Sequence, residues 1–211
     1  MVRSNRRNKF MIKRFVAGPI EANCYLVWDP STNDACLIDP GGESDKIKIF
    51  LEANGLRLGF IINTHGHGDH IAGNSDFNVP IYIHESDKDF LLDPGKNLSG
   101  AFLFPFVSPP ASRTLKDGDA VKLGTLSMEV IHTPGHTPGS IAIALDDVVF
   151  TGDTLFAGAV GRTDLEYGSE DDLFRSIHDK LMPLADDTVI YPGHGGESTI
   201  GEERETNPFI S

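Results

Sequence analysis

The 211-residue sequence has little of several things that define other classes of chain. It carries only two cysteines, Cys24 and Cys36, each inside an apolar stretch (Asn23-Cys24-Tyr25-Leu26-Val27 and Ala35-Cys36-Leu37-Ile38). That excludes a disulfide framework and fits free thiols that pack as small hydrophobes, so a reducing cytoplasm is the expected location. No apolar run approaches the roughly 20 residues a membrane span requires, and the apolar region of a secretory signal is missing. Positive charge is scarce: 18 Lys and Arg stand against 31 Asp and Glu, a net charge of −13 that repels phosphate backbones and anionic membranes. Neither nucleic acid nor a membrane is expected as a partner. The cations gather at the start, where Arg3, Arg6, Arg7, Lys9, Lys13 and Arg14 precede the first acid, Glu21. Residues 1–11 read as a basic solvated tail and 12–211 as one domain, long enough to bury a sizeable core.

What is present is an interleaving of short strands and helices. Apolar runs at Ala22 to Trp28 and Ala35 to Asp39 flank a turn-rich Asp29-Pro30-Ser31-Thr32-Asn33-Asp34 and predict a hairpin. From Ser44 to Asn54, Ile47, Phe50 and Leu51 recur at helical spacing before Gly55, predicting a helix. Phe60-Ile61-Ile62 and Pro80-Ile81-Tyr82-Ile83 read as strands, and Glu85 to Leu92 as a helix. Strands follow at Ala120 to Leu123, Leu126 to Ile131, Ile141 to Leu145 and Val148 to Thr151. A second clear helix spans Asp171 to Met182, with Ser169 as its N-cap. Between Asp93 and Ser112 no period is visible, and Phe102, Phe104 and Phe106 stand among Pro and Gly, composing either a binding wall or an irregular segment packed on the core. With no internal repeat, a layered α/β domain follows.

One local pattern recurs four times: an apolar strand ends, a Gly, Pro-Gly or polar break follows, and potential metal ligands appear. Phe60-Ile61-Ile62 leads to Thr64-His65-Gly66-His67-Gly68-Asp69-His70, and Glu129-Val130-Ile131 leads through Thr133-Pro134-Gly135 to His136. Val148-Val149-Phe150 leads through Thr151-Gly152 to Asp153, and Val189-Ile190-Tyr191 through Pro192-Gly193 to His194. Imidazole and carboxylate suit zinc and iron. Alternation along an extended loop can put His65 and His67 on one side, where His136 could join them. Asp69 and His70 could form a second set with His194, and Asp153, with two oxygens, could bridge. A single metal leaves several of these groups unexplained, whereas two use all seven. Two divalent ions against Asp69, Asp153 and a bridging hydroxide leave a net charge of about +1 to meet an oxyanion, and they lower the pKa of bound water, so no serine or cysteine nucleophile is required. Asp69, a ligand beside that water, is the natural proton acceptor. His84, His132 and His178 lack this context; His132 reads as structural or as a group supporting the His136 loop, and His178 as solvated.

At these residues the chain resembles the metallo-β-lactamase superfamily, from about Ile12 to Ile210. The resemblance implies an αβ/βα four-layer sandwich of two mixed sheets flanked by helices, with His65, His67 and His136 on a first metal, Asp69, His70 and His194 on a second, and Asp153 between them. Thr133-Pro134-Gly135-His136-Thr137-Pro138-Gly139-Ser140 and Thr151-Gly152-Asp153-Thr154-Leu155-Phe156 look like the glyoxalase II (hydroxyacylglutathione hydrolase) branch. Gly161-Arg162-Thr163-Asp164 and a chain ending soon after His194, without the helical C-terminal extension of full-length glyoxalase II, look like its short bacterial form. The resemblance implies two metal ions, zinc foremost with iron or manganese as substitutes, and hydrolysis of a thioester such as S-lactoylglutathione by a metal-bridging hydroxide. The expected partner is a small anionic thiol conjugate, contacted by Arg162, on a monomer or small homo-oligomer. Two rival readings stand beside it. A persulfide dioxygenase would use one ferrous ion on His65, His136 and Asp153; a metal-binding module would carry no catalysis.

Overall fold

The computed structural model describes residues 2–4, 9–101 and 104–210. Its first sheet has seven strands in sequence order: β1 Val2–Ser4, β2 Met11–Ala17, β3 Ala22–Trp28, β4 Asp34–Ile38, β5 Arg57–Ile62, β6 Ile81–His84 and β7 Arg113–Leu115. The first four are antiparallel; from β4 onward the pairings are parallel, with helix α1 (Ser44–Ala53) crossing between β4 and β5 and the one-turn helix α2 (Gly68–Ile71) following β5. The second sheet is built from β8 Ala120–Leu123, β9 Leu126–His132, β10 Ile141–Leu145, β11 Val148–Gly152, β14 Val189–Pro192 and β15 Ser198–Thr199, in the order β15-β14-β11-β10-β9-β8. A small hairpin, β12 Leu155–Phe156 with β13 Ala159–Val160, stands apart.

Side-chain alternation explains the layers. Along β3, Tyr25 and Val27 face the second sheet, joining Ile62, Met128, Ile143 and Phe150 in the central core. Cys24, Leu26 and Trp28 point the other way and are covered by Ile47 and Leu51 of α1. On the outer face of the second sheet, Ala142, Val149 and Ile190 meet Leu173 of α3 (Glu170–Ser176) and Ile200 of α4 (Ile200–Thr206). Helix, sheet, sheet, helix is the expected four-layer sandwich. Strand β3, with both faces covered, is buried at every position.

Several expectations change. The head is not simply a solvated tail: Val2–Ser4 pairs with β2, and Phe10 is buried in the central core. Strand β2 itself is hidden in the sequence by Lys13 and Arg14. Lys13 lies over the Phe15 and Phe50 rings, and Arg14 donates to the Gly195 carbonyl, so both charges run along apolar surface to a partner. The helix expected over Glu85 to Leu92 shrinks to a 3₁₀ turn, Lys88–Leu92: Glu85 still pairs with Leu115 in the sheet, and the N–H groups of Asp87, Phe90 and Asp93 bond three residues back, to His84, Asp87 and Phe90. Ser169 caps α3 as expected, accepting from Asp172 N–H, but the helix then widens into a π turn at Ile177–Leu181. No helix among the described residues is long and apolar enough to cross a membrane.

Candidate metal centre

All four ligand-bearing loops emerge at the same edge of the sandwich, where the two sheets meet. Cross-sheet bonds fix them there. Ile141 N–H donates to the Thr64 carbonyl at 2.8 Å, and Asn23 N–H to the Gly193 carbonyl at 2.7 Å. Tyr25 Oη and Asn23 Nδ2 donate to the Pro192 carbonyl at 2.7 and 2.9 Å, so β3 of the first sheet holds the loop that β14 of the second sheet delivers. Two glycines show how tight the fit is. A Cβ on Gly193 would collide with Asp153 Oδ1 and lie 2.8 Å from His70 Cε1. Gly135, with φ +142°, lies where a Cβ would strike the Leu173 backbone, so α3 presses directly on the turn before His136.

Two donor clusters of the sequence-predicted residues result, and Asp39, His65 and His70 form a third grouping of the same kind among the described residues. His65, His67 and His136 offer ring nitrogens within 4.8 Å of one another, all buried; Asp69, His70 and His194 form a second such set, only part-buried. Asp153 lies between them: Oδ2 is 3.6 Å from Nε2 of both His136 and His194, and Oδ1 is 3.4 Å from His70 Nε2. The structure thus brings all seven sequence-predicted residues together at one edge.

Four of the five imidazoles are steered from behind, the arrangement by which proteins fix which nitrogen faces a metal; His67 is the exception, its Nε2 buried without a hydrogen-bond partner. His70 Nδ1 bonds Asp39 at 3.0 Å, His136 Nδ1 the Arg162 carbonyl at 2.8 Å and His194 Nδ1 the Ile20 carbonyl at 3.0 Å; His65 Nδ1 lies 3.1 Å from Thr64 Oγ1. The remaining nitrogens converge on one another instead of on donors: His67 Nδ1 and His136 Nε2 are 2.9 Å apart, as are His70 Nε2 and His194 Nε2 at 3.3 Å. His65 Nε2 and Asp153 Oδ1 are buried without any hydrogen-bond partner. Orphaned buried acceptors of this kind are costly unless something binds them, and imidazole and carboxylate are the donor types divalent zinc or iron takes. The residues fit such an ion.

The electrostatics of the clusters differ. Burial, then the neighbouring histidines, holds His65 far below the usual imidazole value, and burial with His136 brings His67 down to about 3. Burial opposes protonation of His70 too, yet Asp69, Asp153 and Asp39 together push it well up, and Asp69 and Asp153 raise His194. Burial works against ionised Asp69, but His70 and the hydrogen bond from His194 hold its carboxyl far below the ordinary range.

Sequence reasoning missed two acids. Asp39 accepts from Thr64 N–H at 2.7 Å and from Thr64 Oγ1 at 2.6 Å as well as contacting His70. It follows an apolar strand end, as every ligand does, and that was its available signal. Asp87, fully buried, accepts from Gly66 N–H (2.9 Å), Gly139 N–H (2.7 Å) and Thr137 Oγ1 (2.7 Å), clamping the His65–His67 loop to the His136 loop. Its sequence context gives no such signal. His132 lies outside both clusters, stacked 3.9 Å from His84 with Nε2 against the Pro138 carbonyl, and His178 is exposed. The Arg162 side chain lines the cleft over the clusters, a space of about 550 Å³, but makes a two-pronged bond to Asp164 at 2.8 Å. Of the aromatic segment, Phe106 packs on the outer core of the first sheet and Phe104 is exposed; Phe102 lies outside the described residues.

Known proteins share this arrangement. A family model described as the metallo-beta-lactamase superfamily matches residues 17–194. Hydroxyacylglutathione hydrolase GloC of Haemophilus influenzae is 38% identical over 199 residues, spanning 90% of this chain and 93% of that protein. The human mitochondrial persulfide dioxygenase ETHE1 is 35% identical over 199 residues, 89% of this chain and 70% of its own. The crystal structure of BLEG-1 B3 metallo-beta-lactamase matches with a TM-score of 0.89 at 36% identity, covering 95% of this chain and all (100%) of that one. TTHA1623, solved in a di-iron-bound form, matches at 0.82 and 34% identity, covering 93% and 99%. With its histidine and aspartate clusters set at the sheet edge of a four-layer sandwich, the chain belongs to the metallo-beta-lactamase superfamily.

Proposed function

We propose that the chain is a two-metal hydrolase of thioesters carried on a small anionic thiol, S-lactoylglutathione being the model substrate. The observation that carries the reading is Asp153 standing between two donor clusters within 3.6 Å of both, an arrangement a single structural ion does not need. His65, His67 and His136 would hold one ion and Asp69, His70 and His194 the other, with Asp153 shared; zinc is the first choice, and a relative solved with two irons keeps iron open. Two divalent ions held there would supply a water of lowered pKa and a positive field at the scissile carbonyl.

The chain's own groups do the rest. Asp69, ionised and reaching into the cleft, is placed to accept the attacking water's proton and return it to the departing thiolate, so that acid and thiol leave. Arg162 at the rim offers a cation to an anionic carrier, which would compete with Asp164 for it. Sheet-to-sheet bonds keep the loops at fixed separation, so positioning costs little at the moment of reaction.

The test is metal analysis joined to a thioester assay. About two metals per chain and hydrolysis of S-lactoylglutathione are expected, both lost on chelation and restored by zinc. A second reading is supported by the likeness to human ETHE1: one iron on His65, His136 and Asp153 with oxygen consumed on glutathione persulfide. One iron per chain, oxygen uptake and no thioester cleavage would establish that reading instead.

A further inference from the structure

Beside the metal cleft lies a second cavity, about 270 Å³, that the chemistry above does not use. Its apolar walls are Ala17, Pro19, Ile20, Ala72, Phe104 and Phe106; Ser99 also lines it, and Asp69 is the charged residue of the lining. Ile20 and Asp69 also line the metal cleft, so the two spaces are neighbours that share the residue proposed as proton acceptor. Both walls are anchored to ligand-bearing loops. The Ile20 carbonyl receives His194 Nδ1, and Gly68 N–H, beside Asp69, donates to the Asn97 carbonyl at 2.7 Å. Asn97 Nδ2 and Ser99 Oγ in turn bond the Phe106 carbonyl at 3.2 Å, fixing that ring as a wall. At the mouth, Ile20 is 48% and Phe104 83% exposed, apolar area that folding leaves uncovered.

We infer that this cavity receives the acyl group of the thioester, and that the preferred acyl group is an apolar chain rather than the hydroxylated lactoyl group. The inference rests on the hydrolase reading and names its substrate class. Charge assigns the two ends. The anionic thiol carrier belongs with Arg162 in the metal cleft, whereas the apolar cavity has no cation in its lining and has an acid, Asp69, among its residues. Size assigns the chain: the cavity matches roughly nine waters of liquid volume, well beyond a lactoyl group, and its mostly alkyl and aromatic walls favour an apolar chain over a hydroxylated one, the Ser99 hydroxyl being already bonded to the Phe106 backbone.

The experiment uses the fully metallated chain and S-acylglutathiones from acetyl and lactoyl to dodecanoyl. Because each buried methylene contributes a transfer gain, kcat/KM should climb about two- to fourfold per methylene to a chain of medium length and then level off. Ala72→Phe, which fills the cavity, should shift the optimum to shorter acyl groups and lower the octanoyl-to-acetyl ratio at least tenfold. Phe104→Ser, at an exposed position that folding does not depend on, should lower the same ratio severalfold. A readout free of catalysis uses S-alkylglutathiones, whose thioether is not cleaved: S-octylglutathione should bind at least tenfold tighter than S-methylglutathione, and Ala72→Phe should remove the difference. Hydrolysis of S-lactoylglutathione with no gain along the acyl series would overturn the acyl cavity and leave the hydrolase reading intact. Failure of every thioester, short or long, would overturn the hydrolase reading and this inference with it.

Discussion

The two donor clusters are a few ångströms apart and chemically unlike. His65, His67 and His136 are all buried, and burial together with the neighbouring histidines lowers the basicity of His65 and His67. Asp69, His70 and His194 are wetter, their side chains 20%, 0% and 27% exposed, and they hold charge: two carboxylates keep protons on the imidazoles. In the first cluster burial favours neutral imidazoles at His65 and His67. In the second, neighbouring carboxylates favour the protonated imidazoles of His70 and His194, so a cation bound there would compete with protons. Both clusters nonetheless face the same cleft, which His67 and His136 line together with Asp69, Asp153 and His194.

The sharpest way to break this division is to remove the group that joins its halves. Asp153→Ala deletes the carboxylate within reach of both clusters and should lower thioester hydrolysis on the order of a thousandfold, with metal content falling toward one per chain. Retention of two metals and near-normal turnover would show that the clusters do not share a ligand.

Next in size are two variants that should separate the clusters. Asp39→Asn weakens the carboxylate behind His70 and should loosen one metal by about 10–100-fold, read by chelator competition. Asp87→Ala strips the acceptor from Gly66, Gly139 and Thr137, each stranded donor costing about 1–3 kcal/mol. It should lower the melting temperature and loosen the other metal, the one on His67 and His136. Equal loosening of both metals by either variant would mean that the clusters respond as one.

In metal-free protein the contrast is visible by nitrogen-resolved NMR of the imidazoles. His67 should remain neutral through pH 5 and His65 should titrate well below an ordinary imidazole, whereas His70 and His194 should hold their protons to higher pH than an ordinary imidazole does. The sign follows from linkage. A histidine raised above its ordinary value of about 6.5 stabilises the fold at pH below that value, and the contribution is lost as pH climbs through the raised one. Metal-free protein should therefore lose stability on the alkaline side, and metal uptake near neutrality should release protons.

How much of this was readable in the sequence depends on how local each residue's task is. The seven cluster residues each follow an apolar strand end, so periodicity and punctuation placed them before any fold was known. Asp39 obeys the same rule, but the Pro40-Gly41-Gly42 that follows it is a pattern any tight turn shows and brings no second ligand type to mark it. Asp87 breaks the rule: its partners lie 21 and 52 residues away in loops that only the closed sandwich brings together. Strand β2 was obscured for another reason, since Lys13 and Arg14 look solvated until the rings and carbonyl that receive them are in place. The acyl cavity is the least local feature of all, drawing on the turn after β2, the end of the Gly68–Ile71 helix and the aromatic segment. Composition marked that segment as unusual without saying what it would face.

The opposite end of β3 offers a control, for there a carboxylate ties the two sheets together with no histidine nearby. Asp29, just past Trp28, accepts from Ser31 N–H and Oγ in its own turn and from Thr125 N–H and Oγ1 in the turn between β8 and β9, at 2.6–2.8 Å. Burial opposes its charge, but those four donors hold its carboxyl well below the usual range. A depressed carboxylate contributes stability that is complete above its ordinary value of about 3.9 and is lost as pH falls through the lowered one. Asp29→Ala should therefore cost about 1–3 kcal/mol at pH 7, less at pH 3, with metal affinity and the acyl-length profile unchanged. An effect of Asp29→Ala on metal binding would show that the clusters depend on the spacing of the whole sandwich, not on the loops at one edge.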